Sequence, residues 1–420
     1  MSKTVPHTLI CTVGTSLFKP NLFGLPSVEK YEDWLSKQPS ADQPHLSSEL
    51  IQSLKTALGD NIKLALDEQN WKLIAEALSK FPGTVRLCGA EINSITDLIQ
   101  RGYCTENCSL VICHSATNEG LQIATILKHY YEAKRHQIKI EKIEDLQDSQ
   151  PKLFRTKGLR NLAKTISRTV QGQDQTQFYA INATGGYKAQ IAIGVLMGQA
   201  LGVPVYYKHE LFSEIIAFPP MPIGLDFSLW LEKSELFTAL ERWEKVKNLI
   251  TQEDIKEMVA WQDVEGEWDE RLEALVERVE CDGRVYLEIS PTGQIFHETF
   301  KERFKSESVR DSVLPAAVPE NEKEQPRLPR HNWGNAETPI LTFLKRIVAD
   351  CSYVRACRTD YWNPDLPSPV LFKLKAEEIE GIFSNGTWTV KFIVETSAKT
   401  LNQRAACIAD MNRLVDTSWV

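Results

Sequence analysis

Residues 178–190 constrain the fold most strongly, because a short apolar run ends there in a turn with two consecutive glycines. The apolar run predicts a strand, and the apolar segment that resumes after Lys188 predicts a helix. Gly185 and Gly186 allow the backbone to turn sharply and to approach a ligand closely. The free N–H groups at the start of the helix, together with the Lys188 ammonium group, favour an anion at this turn. The stretch matches neither GxxxxGK[ST] nor GxGxxG, and an ordinary Gly-Gly turn of an α/β protein is the alternative.

The first half of the chain alternates strand-like apolar runs with segments of helical apolar spacing. Parallel strands joined by right-handed helical crossovers produce this alternation, so the sequence predicts an α/β Rossmann-like domain. Besides the strand before the Gly-Gly turn, the predicted strands are 8–13, 84–88, 109–113, 137–143 and 202–207. The predicted helices are 46–58, 71–79, 90–103, 121–133 and 153–170. An extended proline-rich stretch, 215–222, is predicted to end the domain.

Three predicted strands end in small polar turns, at residues 14–16, 114–118 and 182–188. Ligands of parallel α/β sheets bind beyond the carboxyl ends of the strands, where the crossover direction switches. We therefore expect the three turns to converge on one pocket. The alternative is that the turns are polar only because such turns are polar throughout this class of protein.

Composition limits the classes of protein that need to be considered. With 420 residues the chain is expected to form two or three domains, and its net charge of −8 argues against a general coat for polyanions. The nine cysteines contain no C-x-x-C pair, which favours buried free thiols over zinc or disulfides. The sequence lacks both an apolar run of roughly 18 residues and the apolar core of a signal peptide, so we expect a soluble cytoplasmic protein.

The second half predicts three further regions. Residues 226–305 form a connector with helices at 234–250, 254–261 and 268–279, for which Ser234 is a candidate N-cap, and an alternating strand at 283–293. This pattern resembles a winged-helix module, but its acidic composition favours dimerisation or signal transmission over nucleic-acid binding. Residues 306–330 mix charge with proline and predict a linker.

Residues 331–420 predict a small α+β domain. A helix at 338–349 and a helical turn near Tyr353, which carries Arg355 and Arg358, come first. The pair Asn385-Gly386 between alternating runs is a strong signal for a β-hairpin. A further strand is predicted at 403–409.

Five short segments of residues 1–225 carry a family resemblance. They are Val13-Gly14-Thr15-Ser16-Leu17, Gly89 to Ser94, Asn182 to Lys188, Pro204 to Glu210 and Phe218 to Pro222. Together they resemble the CRISPR-associated Rossmann-fold (CARF) domain of type III ancillary effectors. The resemblance implies a homodimer that binds a cyclic oligoadenylate, with cyclic tetra-adenylate as the expected activator, across its twofold axis. The implied ligand contacts are Gly14, Thr15, Ser16, Asn182, Thr184, Gly185, Gly186, Tyr187 and Lys188.

Those residue types suit such a ligand. Hydroxyl and backbone N–H groups bind phosphate, Lys188 supplies positive charge, and Tyr187 supplies a ring for adenine. Some CARF domains also cleave their activator slowly, without metal, by placing a ribose 2′-OH in line with its phosphate. Ser16 and Lys188 occupy the positions for that reaction here, and binding without cleavage is the alternative.

The C-terminal region admits three nuclease classes. The all-helical HEPN ribonucleases are disfavoured, since Arg327 and His331 have only three residues between them, one of which is Pro329. A metal-dependent PD-(D/E)xK nuclease is suggested by Asp365 followed by Glu395 and Lys399, although the spacing between the last two is wrong.

Helices followed by an antiparallel meander with Lys and Arg resemble the RelE family of mRNA interferases. The resemblance implies an endoribonuclease that cuts ribosome-bound mRNA without a metal or other cofactor. The candidate catalytic residues are Arg355, Arg358, Tyr361, Lys391, Arg404 and Arg413. The alternatives are the metal-dependent nuclease above and a regulatory sensor whose CARF domain degrades the cyclic nucleotide.

Overall fold

The structure is a computed structural model. It describes residues 4–59, 68–170, 173–209, 212, 214–221, 225, 227–247, 250–251, 270–281, 283–303, 307–364 and 370–419. The chain forms two compact units, Met1–Ile223 and Gly224–Val420. Within the described part of the chain, no helix combines the length and apolarity that a membrane crossing requires.

A six-stranded sheet forms the centre of the first unit. Its strands are β1 Thr8–Thr12, β2 Ser109–Ser115, β3 Ile138–Ile143, β4 Tyr179–Asn182, β5 Val205–Tyr207 and β6 Ile216–Phe218. Their order is β3-β2-β1-β4-β5-β6, and only β6 runs antiparallel to its neighbour. The central strand β1 pairs through Thr8 with both Ser109 and Tyr179. The α/β prediction with a parallel sheet is confirmed.

Eight α-helices lie in the described part of the first unit. They are α1 Tyr31–Ser36, α2 Ser48–Leu58, α3 Glu68–Leu78, α4 Gly89–Gln100, α5 Asn118–Glu132, α6 Pro151–Leu153, α7 Leu159–Thr169 and α8 Lys188–Leu201. Apolar residues of β1 and β2 and of helices α2 to α5 form one buried cluster, which includes Leu9, Leu54, Ile74, Ile95 and Ile123. β1 and β2 are buried almost throughout, which explains why their sequences are continuous apolar runs.

One prediction for the first unit is wrong, and another is confirmed with a local variation. Residues 84–88 contain a 3₁₀ turn, Arg86–Cys88, instead of a strand. Asn21 Nδ2 donates to the carbonyls of Arg86 and Leu87, and the N–H of Arg86 donates to Asp42, so these backbone groups are satisfied outside any sheet. The predicted helix 153–170 is confirmed: α6 continues through a π-helical turn, Phe154–Gly158, into α7.

The second unit contains two antiparallel sheets. The first has strands β7 Ile250–Thr251, β8 Val276–Cys281 and β9 Arg284–Ile289, in the order β7-β9-β8. The second has strands β10 Val354–Asn363, β11 Leu371–Lys375, β12 Glu378–Ser384 and β13 Thr389–Thr396, in the order β10-β13-β12-β11. The described helices are α9 Ser228–Lys247, α10 Glu270–Leu275, α11 Pro291–Arg303, α12 Glu307–Val313, α13 Glu337–Asp350 and α14 Leu401–Leu414.

One hydrophobic cluster runs through the second unit. It joins residues of the predicted connector, such as Phe237 and Phe296, to residues of the predicted C-terminal domain, such as Ile340, Phe392 and Met411. The two regions therefore share a core. The predicted linker contains helix α12, and beyond that helix it lies along the edge of β10.

Three further predictions for the second unit are wrong. The segment after Tyr353 is the long strand β10 instead of a helical turn, and it pairs with β13 over its whole length, with two register shifts. Residues 403–409 belong to helix α14, whose first turn is capped when Thr400 and Gln403 exchange side-chain hydrogen bonds with each other's N–H groups. Ser234 lies inside α9, after a kink at Lys233, and is not an N-cap.

The hairpin predicted at Asn385-Gly386 is confirmed. Gly386 has a φ of 90° between β12 and β13, a conformation that favours glycine. The predicted helix 254–261 lies outside the described residues.

Candidate functional site

The turns after β1 and β4 touch each other through their backbones. A Cβ atom added at Gly14 would lie 2.6 Å from the backbone nitrogen of Gly186, so this approach requires glycine. Thr12 Oγ1 at the end of β1 donates a 2.6 Å hydrogen bond to the carbonyl of Gly185. Strands β1 and β4 are the neighbours at which the crossover direction of the sheet reverses. The two predicted turns therefore form one continuous site at the topological switch point.

Glu91 on α4 holds these turns, and the sequence analysis did not select it as a site residue. Its side chain is 1% exposed, and its Oε1 accepts a 2.7 Å hydrogen bond from the N–H of Gly14. A Cβ atom at Gly185 would collide with the same Oε1. Glu91 Oε2 is buried without a hydrogen-bond partner among the described residues. Burial raises the pKa of Glu91, which outweighs the opposing effects of the Gly14 N–H and the Ser16 hydroxyl.

Asn182 and Thr184 support the turn from below. Asn182 is 1% exposed, and its Nδ2 donates to Ser94 Oγ at 2.8 Å. Thr184 Oγ1 donates to Asn182 Oδ1 at 2.6 Å and accepts from the N–H of Lys208 at 3.0 Å. Lys208 in turn forms a 3.0 Å ion pair with Asp97. The side chains of these two predicted contact residues are therefore already hydrogen-bonded within the protein, and these bonds position the turn.

Four predicted contacts lie nearer the surface. Thr15 and Lys188 are exposed, and Lys188 is the first residue of α8. Ser16 Oγ accepts a 3.2 Å hydrogen bond from the N–H of Ala90. The N–H of Tyr187 donates to Gln190 Oε1, while its ring packs edge-on against Phe154 with centroids 5.2 Å apart. Thr15, Lys188 and the N-terminal turn of α8 thus offer a hydroxyl, a cation and a positive helix end on one side of the two turns.

The third polar turn, after β2, uses its side chains internally. His114 is buried, and its Nδ1 donates to the carbonyl of Ser115 at 2.7 Å. Burial lowers the pKa of His114, which favours the neutral ring. Thr117 caps α5 by accepting the N–H of Gly120. β2 lies beside β1, but these groups stabilise their own turn.

In the second unit, the four-stranded sheet has an apolar face and an opposite face, called the polar face below, that carries charged residues beside the buried Leu371 and Ile382. Phe372, Phe392 and Phe383 lie on the apolar face, where they pack against Phe343 of α13. Lys391 immediately precedes Phe392 and therefore belongs to the opposite face. Three predicted catalytic residues, Arg358, Tyr361 and Lys391, share that opposite face.

The pairing register groups the polar residues into two adjacent rows. Tyr361 is directly opposite Lys391, whose Nζ lies 5.5 Å from the centroid of the tyrosine ring. The next row runs from Arg358 through Ile393 and Glu380 to Lys373. Glu380 and Lys373 were not predicted, and they are 0% and 2% exposed.

Glu380 is the acidic centre of the polar face. Its Oε1 lies 2.8 Å from Lys375 Nζ, and its Oε2 lies 3.5 Å from Lys373 Nζ. A buried carboxylate requires such cations, since burial of an unpaired charge is costly. The alternation of Lys373 and Lys375 in β11, and of Glu378 and Glu380 in β12, was a visible signal for a charged sheet face, but it does not reveal burial.

The other predicted catalytic residues lie elsewhere. Arg355 forms a 3.0 Å ion pair with Glu322. Arg404 and Arg413 are on α14, which contributes Cys407 and Met411 to the hydrophobic core, and Arg413 is paired with Asp410 at 2.9 Å. The six predicted residues therefore do not form one cluster. Of the residues considered for a metal site, Asp365 lies outside the described residues and Glu395 pairs with Arg358 at 2.7 Å.

A comparison with protein families identifies part of the first unit. Residues 86–221 match the model of a family described as CRISPR-associated protein (Cas_APE2256). The first unit therefore contains a segment that is similar to this CRISPR-associated family. This segment extends from the 3₁₀ turn before α4 to the residues after β6 and includes Glu91, the Gly-Gly turn and Lys188. Among curated proteins no significant match was found.

Proposed function

We propose that the protein is an effector of type III CRISPR defence in which the first unit is a CARF domain that binds cyclic oligoadenylate. The observation that carries this proposal is the backbone contact between Gly14 and Gly186 at the switch point of the sheet. The match of residues 86–221 to a CRISPR-associated family supports it independently. In this proposal two copies of the first unit share one ring, with cyclic tetra-adenylate as the expected activator.

The chemistry of the site suits a phosphodiester ring. Lys188 and the N-terminus of α8 attract phosphate, and the Thr15 hydroxyl is exposed beside them. Glu91 keeps the turn after β1 in place from beneath by accepting the N–H of Gly14. A negative charge at Glu91 would oppose phosphate binding, and the raised pKa of this buried carboxyl reduces that charge.

We propose that the second unit is a metal-independent ribonuclease whose site is the polar face of the four-stranded sheet. The 2′-oxygen of the RNA would attack the neighbouring phosphorus and break its bond to the 5′-oxygen, which yields a 2′,3′-cyclic phosphate and a 5′-hydroxyl. Arg358 and Lys391 would stabilise the charge on phosphorus, and Tyr361 would transfer a proton. The direct pairing of Tyr361 with Lys391, with Arg358 beside them, supports these roles.

We propose that residues 226–305, which separate the two sites in sequence, form a winged-helix-like connector that transmits the signal. Its strand order β7-β9-β8, between α9 and α11, suits that architecture. Arg303 at the end of α11 donates to Asn402 Oδ1 at 3.1 Å on α14, and its guanidinium lies 5.5 Å from the Phe227 ring. These contacts link the connector to the effector region.

Nucleotide binding by the full chain tests the sensor. Calorimetric titration with cyclic tetra-adenylate is compared for Lys188→Ala and for Lys30→Ala, a change of another exposed lysine in the same unit. Loss of a charge-assisted hydrogen bond predicts that Lys188→Ala weakens affinity by about 10-fold to 150-fold, while Lys30→Ala changes it little. Equal affinities for the two variants would show that Lys188 is not in the site.

A further inference from the structure

A preformed cavity lies between residues 324–329 and the edge of β10. Its volume is about 590 Å³, and its lining includes Glu324, Arg327 and Arg358. This volume is in the range of pockets that bind small ligands or single nucleotides. Of the residues given a catalytic role above, only Arg358 lines the cavity.

The wall of the cavity opposite β10 is held at several points. The N–H of Val318 donates to Ser352, and the N–H of Glu324 donates to Arg355, both at 2.9 Å. Lys323 Nζ donates to the carbonyl of Val348, and Trp333 Nε1 donates to the carbonyl of Pro329. Anchors on both sides of residues 324–329 keep the cavity open without a ligand, which reduces the entropic cost of binding.

Two arginines stand side by side at this cavity. Arg327 and Arg358 are direct partners in an isolated parallel bridge, and both line the cavity. Arg358 is already paired, with Glu395 at 2.7 Å and with Glu324 at 3.7 Å. Arg327 is exposed, and it has no ion pair or side-chain hydrogen bond with any residue that the structure describes.

The remaining lining suits a nucleotide better than a bare ion. Leu328, Pro329, Ala356 and Cys357 give the cavity apolar walls beside the guanidinium groups. Guanidinium groups bind phosphate in a two-pronged geometry and also stack on planar rings. Arg358 is in the row next to the Tyr361–Lys391 pair on the same face of the sheet, and we place cleavage at that pair.

We propose that this cavity binds a nucleotide of single-stranded RNA next to the cleaved linkage, with Arg327 as the first phosphate contact and Arg358 as the second. The proposal rests on the assignment of the second unit as a ribonuclease. Arg327 captures the phosphate because its guanidinium is not neutralised by a neighbour. Glu324 competes with the phosphate for Arg358, and its weak contact at 3.7 Å is the one that RNA displaces.

The test measures binding of a short fluorescein-labelled oligouridylate to the full chain by anisotropy at several salt concentrations. Arg327→Gln should weaken binding by about tenfold or more, and lower the salt slope by about 0.7. Arg330→Gln is the matched control, since Arg330 is an exposed arginine of the same segment that does not line the cavity. Arg327→Lys should retain part of the affinity, and Glu324→Gln should strengthen binding.

Each outcome bears on one of the two proposals. Equal affinities of Arg327→Gln and Arg330→Gln, in a protein that still cuts RNA, overturn the cavity assignment and leave the ribonuclease assignment intact. Binding that depends on Arg327, in a protein that cuts neither free RNA nor ribosome-bound message, supports the cavity and contradicts the ribonuclease. If the unchanged protein does not bind the oligouridylate, with or without cyclic tetra-adenylate, the cavity assignment is overturned; if it also leaves ribosome-bound message intact, the ribonuclease assignment is overturned as well.

Discussion

The change Gly14→Ala adds a methyl group at the place where the turns after β1 and β4 meet, so it perturbs the switch point directly. The added Cβ of Gly14→Ala would lie 2.6 Å from the Gly186 nitrogen and 3.3 Å from its Cα. Both atoms are backbone, so rotation of a side chain cannot relieve the contact. The turn after β4 is also held by the hydrogen bond from Thr12 to Gly185. One strand-end turn must therefore move away from the other.

The expected cost follows from overpacking of a tight contact. Such changes destabilise proteins by about 1–3 kcal/mol, and each kcal/mol lowers the melting temperature of a unit of this size by about 2–4 °C. Displacement of the turns also removes one or more neutral hydrogen bonds to the ligand, which predicts weaker binding of cyclic tetra-adenylate by up to about tenfold each.

Thermal unfolding and calorimetric titration of the full chain measure the two effects. Gly24→Ala is the matched control, because a Cβ at Gly24 meets nothing within 4 Å and its backbone is not left-handed. The control should stay within about 0.5 kcal/mol of the unchanged protein. If Gly14→Ala melts and binds like Gly24→Ala, the two turns do not form the tight site described here.

Two further changes test the buried carboxyls. Glu91→Gln addresses a carboxyl whose pKa is raised in the folded chain by burial, so the folded state keeps a proton that the unfolded state releases above the ordinary value of 4.5. Stability from this group is therefore present at low pH and is lost as pH rises through the folded pKa. The melting temperature of Glu91→Gln should gain on that of the unchanged protein as pH rises above the ordinary value of 4.5; a constant difference would contradict this. Glu380→Gln removes the charge partner of the buried Lys373 and should lower the free energy of unfolding by about 3–5 kcal/mol. In the same denaturant titrations, Glu378→Gln at an exposed position of β12 should have little effect, and equal effects of the two changes would refute the importance of the buried pair.

The sequence allowed the parallel sheet to be predicted because its central strands are buried on both faces. β1 and β2 are nearly continuous apolar runs, and helices with helical apolar spacing follow them. The segment 84–88 has the same apolar character but belongs to a 3₁₀ turn, since side chains of Asn21 and Asp42 bind its backbone. Those partners are about 40 to 65 residues away in sequence, and a local pattern cannot indicate them.

Glu91 illustrates how far a site residue can be predicted from the sequence. The spacing of α4 places it on the same helix face as the buried Ile95 and Leu98, so a polar residue on an apolar face was a detectable signal. Its hydrogen bond to Gly14 depends on how α4 packs beside the end of β1, which is a tertiary contact.

In the second unit, the register of the sheet determines which of the predicted catalytic residues become neighbours. Tyr361 and Lys391 are thirty residues apart and become neighbours only because β10 pairs with β13. Arg404 and Arg413 were expected on a strand or near it, but they lie on a helix that a capping pair starts at Thr400. Charge alone does not distinguish these positions, because the distinction arises from strand pairing and helix capping.

Messenger RNA cleavage in a translating extract tests the central claim most directly. The full chain is added to the extract with and without cyclic tetra-adenylate, and the ends of the RNA fragments are identified. In a parallel control, the protein is incubated with free RNA in the presence and absence of magnesium. We predict loss of ribosome-bound message only with the activator, fragments with 2′,3′-cyclic phosphate and 5′-hydroxyl ends, and a loss of about 100-fold or more in rate for Tyr361→Phe. Magnesium-dependent cutting of naked RNA, or cleavage that ignores cyclic tetra-adenylate, would contradict the account.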